Sequence, residues 1–138
     1  MSAALLPSTP EQNRALLLRF FDDVWTQGRH ECIKELFAKT GVLHDGANHY
    51  QGPAEFTHFY DIMRAQFADF SFKPIVSLTE GDLVCIHWSC TSVHVSTRTP
   101  VRITGTSIVR IKDGQIIEGW QNWDAAALTS QIPGLSIP

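Results

Sequence analysis

Apolar positions recur every three to four residues near the start of the chain, with Leu16, Leu17, Phe20, Phe21, Val24 and Trp25 on one stripe. Thr9-Pro10-Glu11 ahead of them supplies a cap, a proline for the first helical position and an acidic first turn, and Gly28 stops the run. A first helix is therefore predicted from Pro10 to about Gln27. A second short helix is predicted over His30–Ala38, with Ile33, Leu36 and Phe37 on one side. Gly41–His44 reads as a short strand, and Asp45-Gly46-Ala47-Asn48-His49 as a polar loop. Gly52-Pro53 opens a third helix whose stripe is Phe56, Phe59, Tyr60, Met63 and Phe67.

The second half of the chain changes period from 3.6 to 2. Strands are predicted over Phe70–Leu78, Leu83–Ser96, Val101–Ile111 and Gln115–Trp123, with turns at Glu80-Gly81-Asp82 and Lys112-Asp113-Gly114. A short helix and a Pro-Gly-rich end follow. Helices at the front and a curled antiparallel sheet behind imply an α+β fold with helices covering one sheet face. The length of 138 residues suits one domain over residues 10–132, between a flexible leader (1–9) and a tail (133–138).

Strand alternation selects candidate inward residues. Val84, Ile86, Trp88 and Cys90 share the more apolar face of their strand, with His94 further along it. Trp120, Asn122 and Asp124 share a face at the end of the last strand. A carboxylate against tryptophan in an apolar pocket has its charged form disfavoured, so it can trade protons near neutral pH. Asp124 is thus a candidate acid/base. It also precedes Ala-Ala-Ala-Leu, where it is well placed to cap a helix, and the residues alone favour that reading. Glu118 lies too far along the same strand, roughly 20 Å at ~3.3 Å per residue, to work with it directly. His44, beside Asp45 where the first strand meets the loop, stands either at a pocket mouth or as an ordinary loop histidine.

Charge and cysteine content narrow the classes further. Eleven Lys and Arg against fourteen Asp and Glu leave a net charge of −3, and the arginines are scattered. Such a chain lacks the concentrated positive face that nucleic acid or an anionic membrane surface requires. No apolar run approaches the ~20 residues of a bilayer span, and no signal peptide is apparent at Met1. Cys32, Cys85 and Cys90 have no C-x-x-C spacing and read as buried reduced thiols, which points to a cytoplasmic setting. The six histidines show no metal-ligand spacing, and no phosphate loop or dinucleotide fingerprint occurs, so neither metal nor cofactor is expected.

The run Ile108-Val109-Arg110-Ile111-Lys112-Asp113-Gly114-Gln115-Ile116-Ile117-Glu118-Gly119-Trp120, then Asp124, resembles the SnoaL-like polyketide cyclases of the nuclear-transport-factor-two-like fold. His44-Asp45 with Gly52-Pro53 and Phe56, Ala68-Asp69-Phe70, and His87-Trp88 through His94 resemble other segments of that family. The resemblance spans about residues 11–132. The chain departs from the pattern at His87, Ser92, Val93 and Ser107, and its Ser96–Pro100 loop is short.

The resemblance implies a cone-shaped barrel, its curved sheet covered on the concave face by three N-terminal helices. It further implies a closed apolar pocket for a small apolar ligand and pairing into a homodimer. By this likeness Asp124 would be the base of a cofactor-free intramolecular aldol cyclisation, with His44 and His94 as hydrogen-bonding partners. Trp88, Trp120, Asn122, Phe20, Tyr60 and Met63 would contribute the substrate-binding wall. Isomerisation or dehydration would use the same aspartate. A non-catalytic ligand-binding or dimerising module is the alternative from a different class.

Overall fold

A computed structural model describes residues 8–137, so most of the leader, residues 1–7, lies outside the described residues. The first helix begins as α1 (Pro10–Arg19) and continues with π-helical pitch over Phe20–Thr26. Thr9 caps it in both directions: its hydroxyl accepts from Gln12 N–H at 3.1 Å, and its own N–H donates to Gln12 Oε1 at 2.9 Å. The π segment turns Phe20, Phe21, Val24 and Trp25 all into the core. Its last carbonyls, which have no partner within the helix, are met by side chains of the third helix. Tyr60 Oη donates to Val24 O at 2.8 Å and Arg64 Nη1 to Trp25 O at 2.6 Å.

The short α2 (Cys32–Leu36) leads directly into β1 (Phe37–Asp45), and α3 (Gly52–Gln66) follows β2 (Asn48–Gln51). The chain from Asp45 to His49 is therefore the tip of a hairpin rather than an open loop, with His44 paired to His49 across it. The remaining strands are β3 (Phe67–Glu80), β4 (Leu83–His94), β5 (Thr99–Lys112) and β6 (Gln115–Trp123), before α4 (Ala125–Gln131). The six strands form one sheet in the order β2-β1-β6-β5-β4-β3, antiparallel except where β1 runs parallel to β6. This is the expected α+β cone: a curved sheet closed over by the N-terminal helices.

Alternation in β4 is unbroken, so Val84, Ile86, Trp88, Cys90, Ser92 and His94 are all buried. In β6 it breaks. Arg110 pairs with Glu118 but Ile111 pairs with Ile116, which leaves Ile117 without a partner. This single-residue bulge reverses the facing of everything beyond it. Ile116 points inward, and past the bulge Gly119, Gln121 and Trp123 do so in place of Trp120 and Asn122.

The core is strongly aromatic. Trp25 packs against Tyr60, Phe70 and Phe72 at centroid separations of 5.0, 5.3 and 5.9 Å. Residues 133–137 turn back, and Leu135 and Ile137 pack against the core. Among the described residues no helix is long and apolar enough to cross a membrane.

Candidate functional site

Inside the cone lies an apolar cavity of about 50 Å³, walled by Trp25, Phe59, Met63, Phe70, Phe72, Trp88 and Leu128 among others. Its polar groups are few: Ser92, Cys90, and the side chains of Gln121 and Trp123. Burial pushes the Cys90 thiol up to about 12, so it stays neutral and is no nucleophile at ordinary pH. A second cavity of about 30 Å³ lies deeper, bounded by Leu17, Phe20, Phe56, Ser107 and again Gln121.

Outside the first cavity a polar groove of about 260 Å³ opens over the tip of the β1–β2 hairpin. Asp45, Asn122, Ile137, Gln121 and Trp123 line it. Gln121 and Trp123 thus face both spaces and form the wall between them. Asp45 sits beside Gln121 in the parallel β1–β6 pairing, on the inward face that Leu43 and Gly119 also share.

Asp45 is the carboxylate with unusual electrostatics. Burial raises its pKa above the ordinary 3.8, while side-chain hydrogen bonds from Trp123 and Gln121 pull it part of the way back. Tyr50, opposite Leu43 in the hairpin, packs on Phe59 at 4.8 Å. Its phenol is pushed above 10 by burial first and by the charge of Asp45 second, so it remains an O–H donor. The site therefore has a half-buried carboxylate of raised pKa at its mouth, with Gln121, Trp123 and Tyr50 near it and an apolar interior behind.

The residues anticipated from sequence divide sharply. Met63 and Trp88 line the first cavity, and Phe20 lines the deeper one. Tyr60 is buried among aromatics with its hydroxyl committed to Val24 O, so it holds two helices together and does not reach the cavity. His94 is buried at the end of β4, where its Nδ1 donates to Thr97 Oγ1 at 2.7 Å, the Thr97 hydroxyl itself donating to Thr99. It stabilises the β4–β5 turn.

The bulge corrects the rest. Asp124 is exposed and caps α4, its Oδ1 accepting from Ala127 N–H at 2.9 Å. Trp120 and His44 stack on the outer face of the sheet at 5.7 Å, and Asn122 is exposed beside the groove. Trp123, which the alternation placed outward, lines the cavity instead. His44 is occupied at both ring nitrogens, Nε2 with Glu118 Oε2 and Nδ1 with His49 Nδ1, each at 2.8 Å. Those two partners lie on opposite sides of the ring, so the three do not converge as metal ligands would. Of the cysteines, Cys32 and Cys90 are buried and Cys85 is partly exposed on the outer face.

Asp45, Gln121, Trp123 and Tyr50 were not singled out for chemistry by the sequence. The only signal was the position of Asp45 in the His44-Asp45 pair.

A curved sheet closed by helices around an apolar pocket, with a carboxylate at the open end, defines a small-ligand-binding α+β cone. The chain matches the SnoaL-like domain over residues 17–119 and belongs to that family. The matched span includes Asp45 and ends before Asp124. No curated protein matches the chain by sequence.

Solved structures with the same fold include a candidate SnoaL-like polyketide cyclase from Jannaschia sp. CCS1, at TM-score 0.82 and 18% identity, covering 99% of each chain. Another is IdmH, a candidate polyketide cyclase from Streptomyces antibioticus, at TM-score 0.76 and 22% identity over 88% of this chain and 98% of that one. A third is AclR, a candidate hydroxylase from Streptomyces galilaeus, at TM-score 0.82 and 18% identity over 93% of this chain and 100% of that one.

The raised pKa of Asp45 has a consequence for stability. Between the ordinary value of 3.8 and its higher native value, the folded chain holds more protons at this site than the unfolded chain. Asp45 therefore makes folding less favourable as pH rises through that window, and its effect levels off above it. In Asp45→Asn the stability difference from the native chain should shift in the variant's favour from pH 3 to pH 7, measured by urea unfolding at each pH. A difference that stays constant or shifts the other way would mean that the carboxylate is not held in its neutral form by burial.

Proposed function

We propose that the chain is a cofactor-independent acid/base enzyme acting on a small apolar carbonyl compound, with Asp45 rather than Asp124 as the base. The carrying observation is the placement of a half-buried carboxylate of raised pKa against Gln121 and Trp123, the two residues that also wall the apolar cavity. A ligand entering from the groove passes Asp45 before its apolar part reaches the aromatic interior.

Asp45 would take a proton from the carbon next to the ligand carbonyl, leaving an enolate. In a cyclisation, that carbon attacks a second carbonyl of the same molecule, and the resulting alkoxide recovers the proton from Asp45. In an isomerisation the proton returns to a different carbon. Gln121 and Trp123 orient the carboxylate through their N–H groups, and Tyr50 supplies a further neutral donor. An intramolecular aldol closure of polyketide type is the most specific form of this reading, in keeping with the family.

A homodimer through the outer sheet face is supported by its apolar exposure. Leu78 is 65% exposed, Val76 53% and Ile108 38%, and Ile108 pairs directly with Trp120. Surface of this kind is what a symmetric partner would cover.

The base is tested with phenylacetone, whose benzylic protons lie next to its carbonyl, by following solvent-deuterium incorporation by NMR. The native chain should accelerate exchange, Asp45→Asn should lose roughly 10²–10⁴-fold of that acceleration, and Asp124→Asn, which keeps a good helix cap, should retain it. Loss in Asp124→Asn with retention in Asp45→Asn would reverse the assignment, and no acceleration by the native chain would leave the non-catalytic binding module as the better reading. For the dimer, sedimentation velocity of a Leu78→Glu, Ile108→Glu variant should show a monomer where the native chain sediments as a dimer; a native monomer would remove the interface.

A further inference from the structure

The two internal cavities are neighbours with a common boundary. Trp25 and Gln121 line both of them. Trp88 lines the first, and Ser107, which accepts a hydrogen bond from Trp88 Nε1 at 3.0 Å, lines the second. The indole thus borders the first space, and its hydrogen bond reaches a residue that borders the second.

The Trp88 ring has almost no freedom to move. On one side it packs against Gly105, where even a Cβ would come within 2.4 Å of the ring. No other side chain could occupy position 105 without displacing the indole. On its other sides are Phe72, at a ring separation of 4.9 Å, and Phe21, at 6.3 Å. The hydrogen bond to a buried Ser107 fixes its remaining rotation.

The first cavity, at about 50 Å³, is smaller than the ~150 Å³ void that admits benzene in another protein. A ring-sized ligand must therefore push side chains aside. Met63, unbranched and with rotatable bonds, and Leu128, on the seven-residue α4, are the walls able to give. Trp88 is the wall that is not.

We propose that Trp88 is the residue that sets ligand length, closing the binding space at the indole so that it takes a one-ring apolar compound and refuses a longer fused-ring one. The inference rests on the reading of this cavity as a ligand site but does not require the Asp45 chemistry. It narrows the substrate class to a single ring bearing a carbonyl chain. Shortening the indole joins the two cavities into one longer space that still ends at Phe20 and Leu17.

The test is the ratio of dissociation constants for benzene and naphthalene, measured by amide NMR titration of the native chain, Trp88→Phe and Trp88→Leu. Phenylacetone and its naphthyl counterpart form a parallel pair. Trp88→Phe retains a ring in the aromatic cluster and serves if Trp88→Leu does not fold. Relative to benzene, naphthalene should gain on the order of tenfold or more in the variants, the scale of discrimination a hydrophobic pocket exerts on ligand size. An unchanged ratio in a folded variant, or no binding of either hydrocarbon by the native chain, overturns the proposal. A ratio that moves for the hydrocarbons while neither ketone outbinds its hydrocarbon upholds the wall and sinks the carbonyl reading.

Discussion

Between Ile116 and Glu118 the last strand carries one residue more than its partner, and that residue decides what enters the cone. A strand alternates faces residue by residue, so an unpaired position exchanges the two faces for everything that follows. Here the exchange brings Gly119, Gln121 and Trp123 inside and sends Glu118, Trp120 and Asn122 outside. The glycine fits closely where it lands, since a Cβ at 119 would come within 3.1 Å of the Leu43 side chain and 3.4 Å of Val109. Gln121 and Trp123 then stand next to Asp45 across the parallel β1–β6 pair. The site is a consequence of register before it is a consequence of residue type.

The helices complete what the sheet begins. The π-pitched segment turns Phe20, Phe21, Val24 and Trp25 inward, and its stranded carbonyls are met by Tyr60 and Arg64. Aromatic packing around Trp25 and Trp88 leaves little internal space, and what is left is apolar. In such surroundings a carboxylate at the rim feels burial more than solvation, which is the physical source of the raised pKa at Asp45. The same surroundings keep Cys90 neutral.

Much of this was legible in the chain. The unbroken alternation of β4 and the Lys112-Asp113-Gly114 turn placed Trp88 inside and gave β6 its bounds of Gln115–Trp123. The helical stripes put Phe20 and Met63 on the inward side, where both are buried. The bulge was not legible, because Ile116 and Ile117 are both apolar and either facing satisfies a half-buried strand. Asp124 consequently read as a pocket carboxylate, although its sequence before three alanines also suited the cap that it forms. The β1–β2 hairpin was hidden for a different reason. β2 is four mostly exposed residues with no apolar alternation, and β1 starts at Phe37, which the spacing with Ile33 and Leu36 assigned to a helix. Without the hairpin, Asp45 had no reason to face anything.

Asp45 is half-buried beside the cavity, whereas Asp124 is exposed and caps a helix. Carbon-detected NMR titration of the side-chain carboxyls, with Asp45→Asn and Asp124→Asn to assign the two signals, measures this directly. The Asp45 carboxyl should titrate clearly above the ordinary 3.8 and move further up when Trp123→Phe removes the indole N–H. An Asp45 signal titrating at or below that ordinary value would contradict this placement.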